Sequence, residues 1–74
     1  MSGEELRRRR KALGVSQPGL AAQLGVHVNT VWRWERDGVP DLRLQLVRLA
    51  LERLEQRLEH LRQAVRLEQR EAAR

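Results

Sequence analysis

Residues Gln17 to Arg36 read QPGLAAQLGVHVNTVWRWER, and the glycine at the middle of this stretch decides how the chain folds. Leu20, Ala21 and Leu24 lead up to Gly25 at helical spacing, and Val26, Val31 and Trp34 follow it at helical spacing again. An apolar face that stops at a glycine and resumes beyond it predicts two short helices meeting at a sharp bend. Gly25 falls just past the first of them, where the backbone must turn left-handed and a Cβ would cost roughly 1 kcal/mol. Ala21 faces the second helix, where steeply crossing backbones leave room only for a small side chain. Ser16 is the expected N-cap of the first helix. Pro18 sits in its first turn, where a missing N–H is harmless.

The flanking segments also read as helical. From about Gly3 to Leu13 the chain is rich in helix formers, with Glu4 and Glu5 at the start and Arg7 to Lys11 toward the end, both placements favourable to the helix dipole. Leu6, Ala12 and Leu13 are expected to turn inward, and Gly14 to end this helix. After Arg36, Asp37-Gly38 and Pro40-Asp41 mark a turn, with Asp41 the expected cap of the next helix. From Leu42 to about Ala73 there is no Gly or Pro, which predicts one helix on the order of 45–50 Å long.

Along that helix Leu44, Val47, Leu51, Leu54, Leu58, Leu61 and Val65 recur in three-four alternation, a coiled-coil stripe. Leu42, Leu46, Leu49 and Ala50 broaden the apolar face of its first half, which must also seal the core beneath the shorter helices. The distal half then needs a partner, and Leu51, Leu54, Leu58, Leu61 and Val65 are the candidate oligomerisation residues. Flanking charges favour an antiparallel pairing, which sets Glu55 near Arg62, whereas a parallel one sets Arg57 against Arg62.

Composition bounds the function. The chain has 74 residues, 41% of them hydrophobic, enough for one small all-helical core near the lower limit of independent stability. There is no cysteine, and His27 and His60 lie apart from any carboxylate cluster with ligand spacing, so no metal site, redox centre or cofactor is expected. No secretory signal or long apolar run appears, and a cytoplasmic, nucleoid-associated protein without membrane contact is expected. A net charge of +5, carried by arginine except for Lys11, favours a polyanionic partner. No nucleophile with a base, paired carboxylates or phosphate-binding glycine loop is present, so neither an enzyme nor a small-molecule substrate is expected.

The Ala21, Gly25, Val26, Val31 and Trp34 spacing resembles the lambda-repressor-like (Xre, or Cro/C1-type) helix-turn-helix family of bacterial and phage DNA-binding domains, over about the first two-thirds of the chain, to roughly Ala50. The resemblance implies an all-α fold, with a helix-turn-helix domain of three short helices at residues 1–50; beyond it the chain departs from the family pattern, and its own spacing gives a long C-terminal helix of coiled-coil character whose residues 51–74 are an oligomerisation tail continuous with helix four. It implies a recognition helix from His27 or Val28 to Arg36, entering the major groove of double-stranded DNA. Carried over residue by residue, Val28, Asn29 and Arg33 are implied to meet base edges, on a thymine methyl, an adenine and a guanine respectively. Gln17 is implied to grip a phosphate. Thr30, His27 and Arg36 are lesser phosphate candidates, with His27 otherwise a solvent-facing substitute for the usual Ser or Thr cap. Trp32 packs on the sugar-phosphate backbone or marks a protein contact. Arg10 and Glu35 are implied to pair across the first and third helices.

The function these features predict is a sequence-specific transcriptional regulator, a repressor binding a palindromic site as a homodimer or higher homo-oligomer. The alternative is an oligomeric DNA-recognition protein, such as a phage DNA-packaging subunit or adaptor.

Overall fold

The computed structural model describes residues 1–73, and among these there are four helices and no strand. Helix α1 spans Gly3–Ala12, α2 Gln17–Leu24, α3 Val28–Asp37 and α4 Asp41–Ala72. Each short helix is started by a side chain. Ser2 Oγ accepts from the Glu5 N–H at 3.1 Å, and Ser16 Oγ accepts from the Gly19 N–H at 3.1 Å. The bend between α2 and α3 is built on Gly25 at φ +69°: its N–H reaches the Ala22 carbonyl, and the Val26 N–H closes on the Ala21 carbonyl at 3.0 Å. This doubly bonded left-handed ending turns the chain while satisfying the Ala21 and Ala22 carbonyls at the end of α2.

Leu6, Leu20, Ala21, Leu24, Val31, Trp34, Val39, Val47 and Leu51 form the core, drawn from all four helices and the α3–α4 connection. Ala21 is buried where α2 meets α3. Gly3 makes a second close approach: a Cβ there would lie 2.6 Å from the Glu35 carbonyl carbon and 2.9 Å from the Trp34 carbonyl oxygen. The start of α1 therefore rests directly on the backbone of α3. The N-terminus is drawn in as well, since the Met1 carbonyl accepts from the Val39 N–H at 3.1 Å.

Several expectations change. Ala12 is exposed, because α1 presents Leu6 and Arg10 to the core instead, while Leu13 is half-buried and packs against the core. Asp41 does not cap α4. Pro40 holds the cap position with no side-chain hydrogen bond, and Asp41 lies in the first turn, where its charge still suits the helix dipole. Leu42, Leu46 and Leu49 do not seal the core: Leu42 is 96% exposed, and all three lie on the side of α4 turned away from Val47 and Leu51. Leu51 is wholly buried in its own chain, so it is unavailable to a partner helix.

Helix α4 is a 32-residue rod of about 48 Å, which sets the longest dimension of the molecule at 50 Å. Its proximal third packs on α2 and the core, and beyond Leu58 every described residue is exposed, including Leu61, Val65 and Leu67. No helix among the described residues is long and apolar enough to cross a membrane.

Candidate nucleic-acid interface

Helix α3 turns Val31 and Trp34 into the core, leaving the opposite arc of its surface to Asn29, Trp32, Arg33 and Arg36, all exposed. At about 100° per residue these four positions are contiguous. The face carries an amide, two guanidinium groups and an indole that is 51% exposed. Arg36 lies over the Trp32 ring, 4.7 Å from its centre, while its Nε and Nη2 donate to the two Asp37 carboxylate oxygens at 2.9 and 2.8 Å. The hydrogen bonds and charge of Arg36 lower the Asp37 pKa, and the hydrogen bonds to Asp37 and its charge raise that of Arg36.

Val28 and Thr30 flank this arc and are half-buried, Val28 packing against the core. Val28 thus offers an apolar edge beside Asn29 rather than a freely projecting side chain. His27 is more than a solvent-facing substitute: it is the N-cap of α3, its Nδ1 accepting from the Asn29 N–H at 3.1 Å. That bond requires the neutral tautomer with an unprotonated Nδ1, and it fixes the backbone from which Asn29 projects.

The arc is held in place by a polar cluster beneath it. Arg10 Nε and Nη2 donate to the two Glu35 carboxylate oxygens at 2.6 and 3.0 Å, and Arg10 Nη1 donates to the Val15 carbonyl at 3.0 Å. The Arg10 and Glu35 side chains are only 10% and 6% exposed. One guanidinium thereby ties α1, the α1–α2 connection and α3 together. Gln17 joins them, its Nε2 donating to Glu35 Oε1 at 3.2 Å. The amide expected to reach a phosphate is thus partly committed to Glu35, and its oxygen and the α2 N-terminus remain for other contacts. Burial pushes the Glu35 carboxyl up, but the hydrogen bonds from Arg10 and Gln17 and the charges of Arg10 and Arg7 outweigh it, so its pKa ends below the usual carboxylate range.

A second clamp was not anticipated from the sequence. Arg9 Nε and Nη2 bind the Glu55 carboxylate at 3.1 and 2.7 Å, joining α1 to α4 across 46 positions of chain. The hydrogen bond from Arg9 lowers the Glu55 pKa against an opposing effect of burial. Because Glu55 is engaged within its own chain, it no longer favours an antiparallel over a parallel tail. Among the described residues no group of His, Cys, Asp or Glu side chains is arranged to hold a metal ion.

An all-helical core, a bend locked by a left-handed glycine and a polar helix face held outward by a buried ion pair define a helix-turn-helix unit. The sequence pattern of the family described as "Helix-turn-helix domain" matches residues 3–55, and the chain belongs to that family, consistent with the lambda-repressor-like resemblance. No curated protein and no solved structure matches the chain.

Proposed function

We propose that this chain is a sequence-specific DNA-binding transcriptional regulator, a repressor that occupies its site by laying α3 in the major groove. The observation that carries the reading is the single exposed arc of α3, in which Asn29 and Arg33 stand beside Trp32 and Arg36, opposite Val31 and Trp34. Asn29 and Arg33 are the side-chain types that pair bidentately with adenine and with guanine, and each such pair is worth roughly 1–3 kcal/mol of discrimination. Val28 supplies an apolar edge for a thymine methyl, while Gln17, Thr30, His27, Trp32 and Arg36 position the backbone. In cells the nucleoid is the compartment that fits this partner.

The DNA-binding unit extends to about Glu55 rather than ending at residue 50, because Leu51 completes the core and Glu55 is clamped by Arg9. The tail beyond it carries Leu61 and Val65, which with half-buried Leu54 and Leu58 continue one apolar stripe. A second copy covering that stripe gives a homodimer with two recognition helices and a palindromic site. Selection of bound sequences from a random DNA pool tests the reading. A defined consensus with two-fold symmetry is expected, and a pool that never enriches would overturn it.

One observation favours a second reading, an oligomeric DNA-recognition or assembly protein. Leu42, Leu46 and Leu49 form an apolar face on the other side of α4 from the distal stripe. Two such faces on one rod suit assemblies larger than a dimer. Light scattering separates the two, a dimer supporting the regulator and a ring of many copies the assembly protein.

A further inference from the structure

Beside the exposed arc of α3 lies an open cleft of about 400 Å³ bounded by Arg7 and Arg10 of α1, Gln17 of α2, and Trp32, Glu35 and Arg36 of α3. Arg10 and Glu35 neutralise one another at its floor, so the charge offered at the rim comes from Arg7 and Arg36. Arg36 is already shared with Asp37. Arg7 is exposed and takes part in no ion pair among the described residues, although three of its neighbours in the sequence, Arg8, Arg9 and Arg10, each do. It lies close enough to Glu35 to help hold that carboxyl ionised. The half-exposed Trp32 ring lines the same cleft, with the Arg36 guanidinium over it.

Resting on the DNA-binding reading above, we propose that Arg7, Trp32 and Arg36 form a clamp for one stretch of DNA backbone, so that α1 contacts DNA as well as α2 and α3. Arg7 and Arg36 take phosphates of one strand, and a deoxyribose of the same stretch rests on the part of the Trp32 ring that Arg36 leaves exposed. The chemistry matches each side chain. Guanidinium forks bind phosphate oxygens, and a sugar offers the apolar edge that an indole face accepts. Arg36 exchanges its bidentate hold on Asp37 for a phosphate of similar geometry, a fork-to-fork pose that it already makes with that carboxylate. Trp32 thereby becomes part of the nucleic-acid surface rather than a protein contact.

Counterion release reads this out without knowledge of the preferred sequence, since each phosphate contact contributes about 0.9 to the slope of log K against log salt. Binding of a mixed-sequence labelled duplex is measured by anisotropy across a salt series for the wild type, Arg7→Ala, Arg7→Lys, Arg36→Ala and Trp32→Ala, with Arg8→Ala as an exposed control on the same helix. The slope is expected to fall by about 0.9 for Arg7→Ala and for Arg36→Ala, and by about 1.8 when Arg7→Ala and Arg36→Ala are combined in one chain, with Arg7→Lys and Arg8→Ala at the wild-type slope. Trp32→Ala is expected to weaken binding at every salt concentration with the slope unchanged. An Arg7→Ala slope equal to that of the wild type, in a variant that melts like the wild type, overturns the clamp and leaves the α3 reading standing. A wild type that binds no duplex at all overturns both.

Discussion

Breaking the Arg10–Glu35 pair gives the most informative stability experiment. Arg10→Met keeps the length of the stem but removes three hydrogen bonds, two to Glu35 and one to the Val15 carbonyl. What remains is a carboxylate whose side chain is 6% exposed, with only the Gln17 amide as donor. Orphaning one member of a buried pair costs about 3–5 kcal/mol. Small domains have a total stability of about 5–15 kcal/mol, so the variant forfeits a large share of it. For a domain of this size each 1 kcal/mol moves Tm by about 4–8 °C, and the expected fall is at least about 12 °C. Replacing both partners, as Arg10→Met with Glu35→Leu, removes the stranded charge and should recover more than half of the loss. Urea unfolding followed by circular dichroism, at one fixed protein concentration so that any assembly stays constant, measures Arg10→Met, Glu35→Leu and the double variant. If Arg10→Met stays within about 0.5 kcal/mol of the wild type, or the double variant equals the sum of the singles, then the pair is not the clamp described here.

Other parts of the structure carry three further expected outcomes. Gly3→Ala should destabilise by about 1–3 kcal/mol, because its Cβ would meet the backbone of Glu35 and Trp34, which cannot swing aside as a side chain could; thermal melts check this, and an unchanged Tm contradicts the close approach. The folded pKa of Glu35 lies below its unfolded value of about 4.3, so the contribution of the pair is complete above that pH and is lost as the pH falls through the lowered value. Between about pH 6 and about pH 3 the wild type should therefore lose more stability than Glu35→Gln, whereas Glu55, more exposed and better screened, should add little to the difference. Leu61→Ser with Val65→Ser should reduce the particle measured by light scattering to a monomer while leaving the melt of the helix-turn-helix unit in place; an unchanged mass would show that the distal stripe is not the interface.

How much of the structure is legible in the sequence depends on the range over which each feature acts. The Gly25 bend, the Ser16 cap, the Pro18 start and the inward Val31 and Trp34 depend on residues within one or two helical turns, and spacing reveals such features directly. The Arg9–Glu55 clamp joins positions that no local pattern connects, and four consecutive arginines offer no sign of which one finds it. Leu42, Leu46 and Leu49 misled for a related reason. A helix with two apolar faces does not say which one meets the core, and here the choice falls to Val47 and Leu51 because α2 approaches from that side. His27 shows a different gap, since imidazole ranks low as a cap and only the geometry reveals its Nδ1 accepting from Asn29. Position alone puts Gln17 at the start of α2, but not that its amide N–H is drawn to a carboxylate 18 positions away.

If Asn29 and Arg33 read bases from the open arc of α3, a ratio of affinities shows it. Binding at physiological salt is compared between a site recovered by selection and a scrambled duplex of the same composition. The wild type is expected to prefer its site by about 10³-fold or more. Asn29→Ala and Arg33→Ala should each reduce that preference by about 5–150-fold, corresponding to 1–3 kcal/mol, with little change in binding to the scrambled duplex. A preference that survives both substitutions intact would mean that neither side chain reads a base.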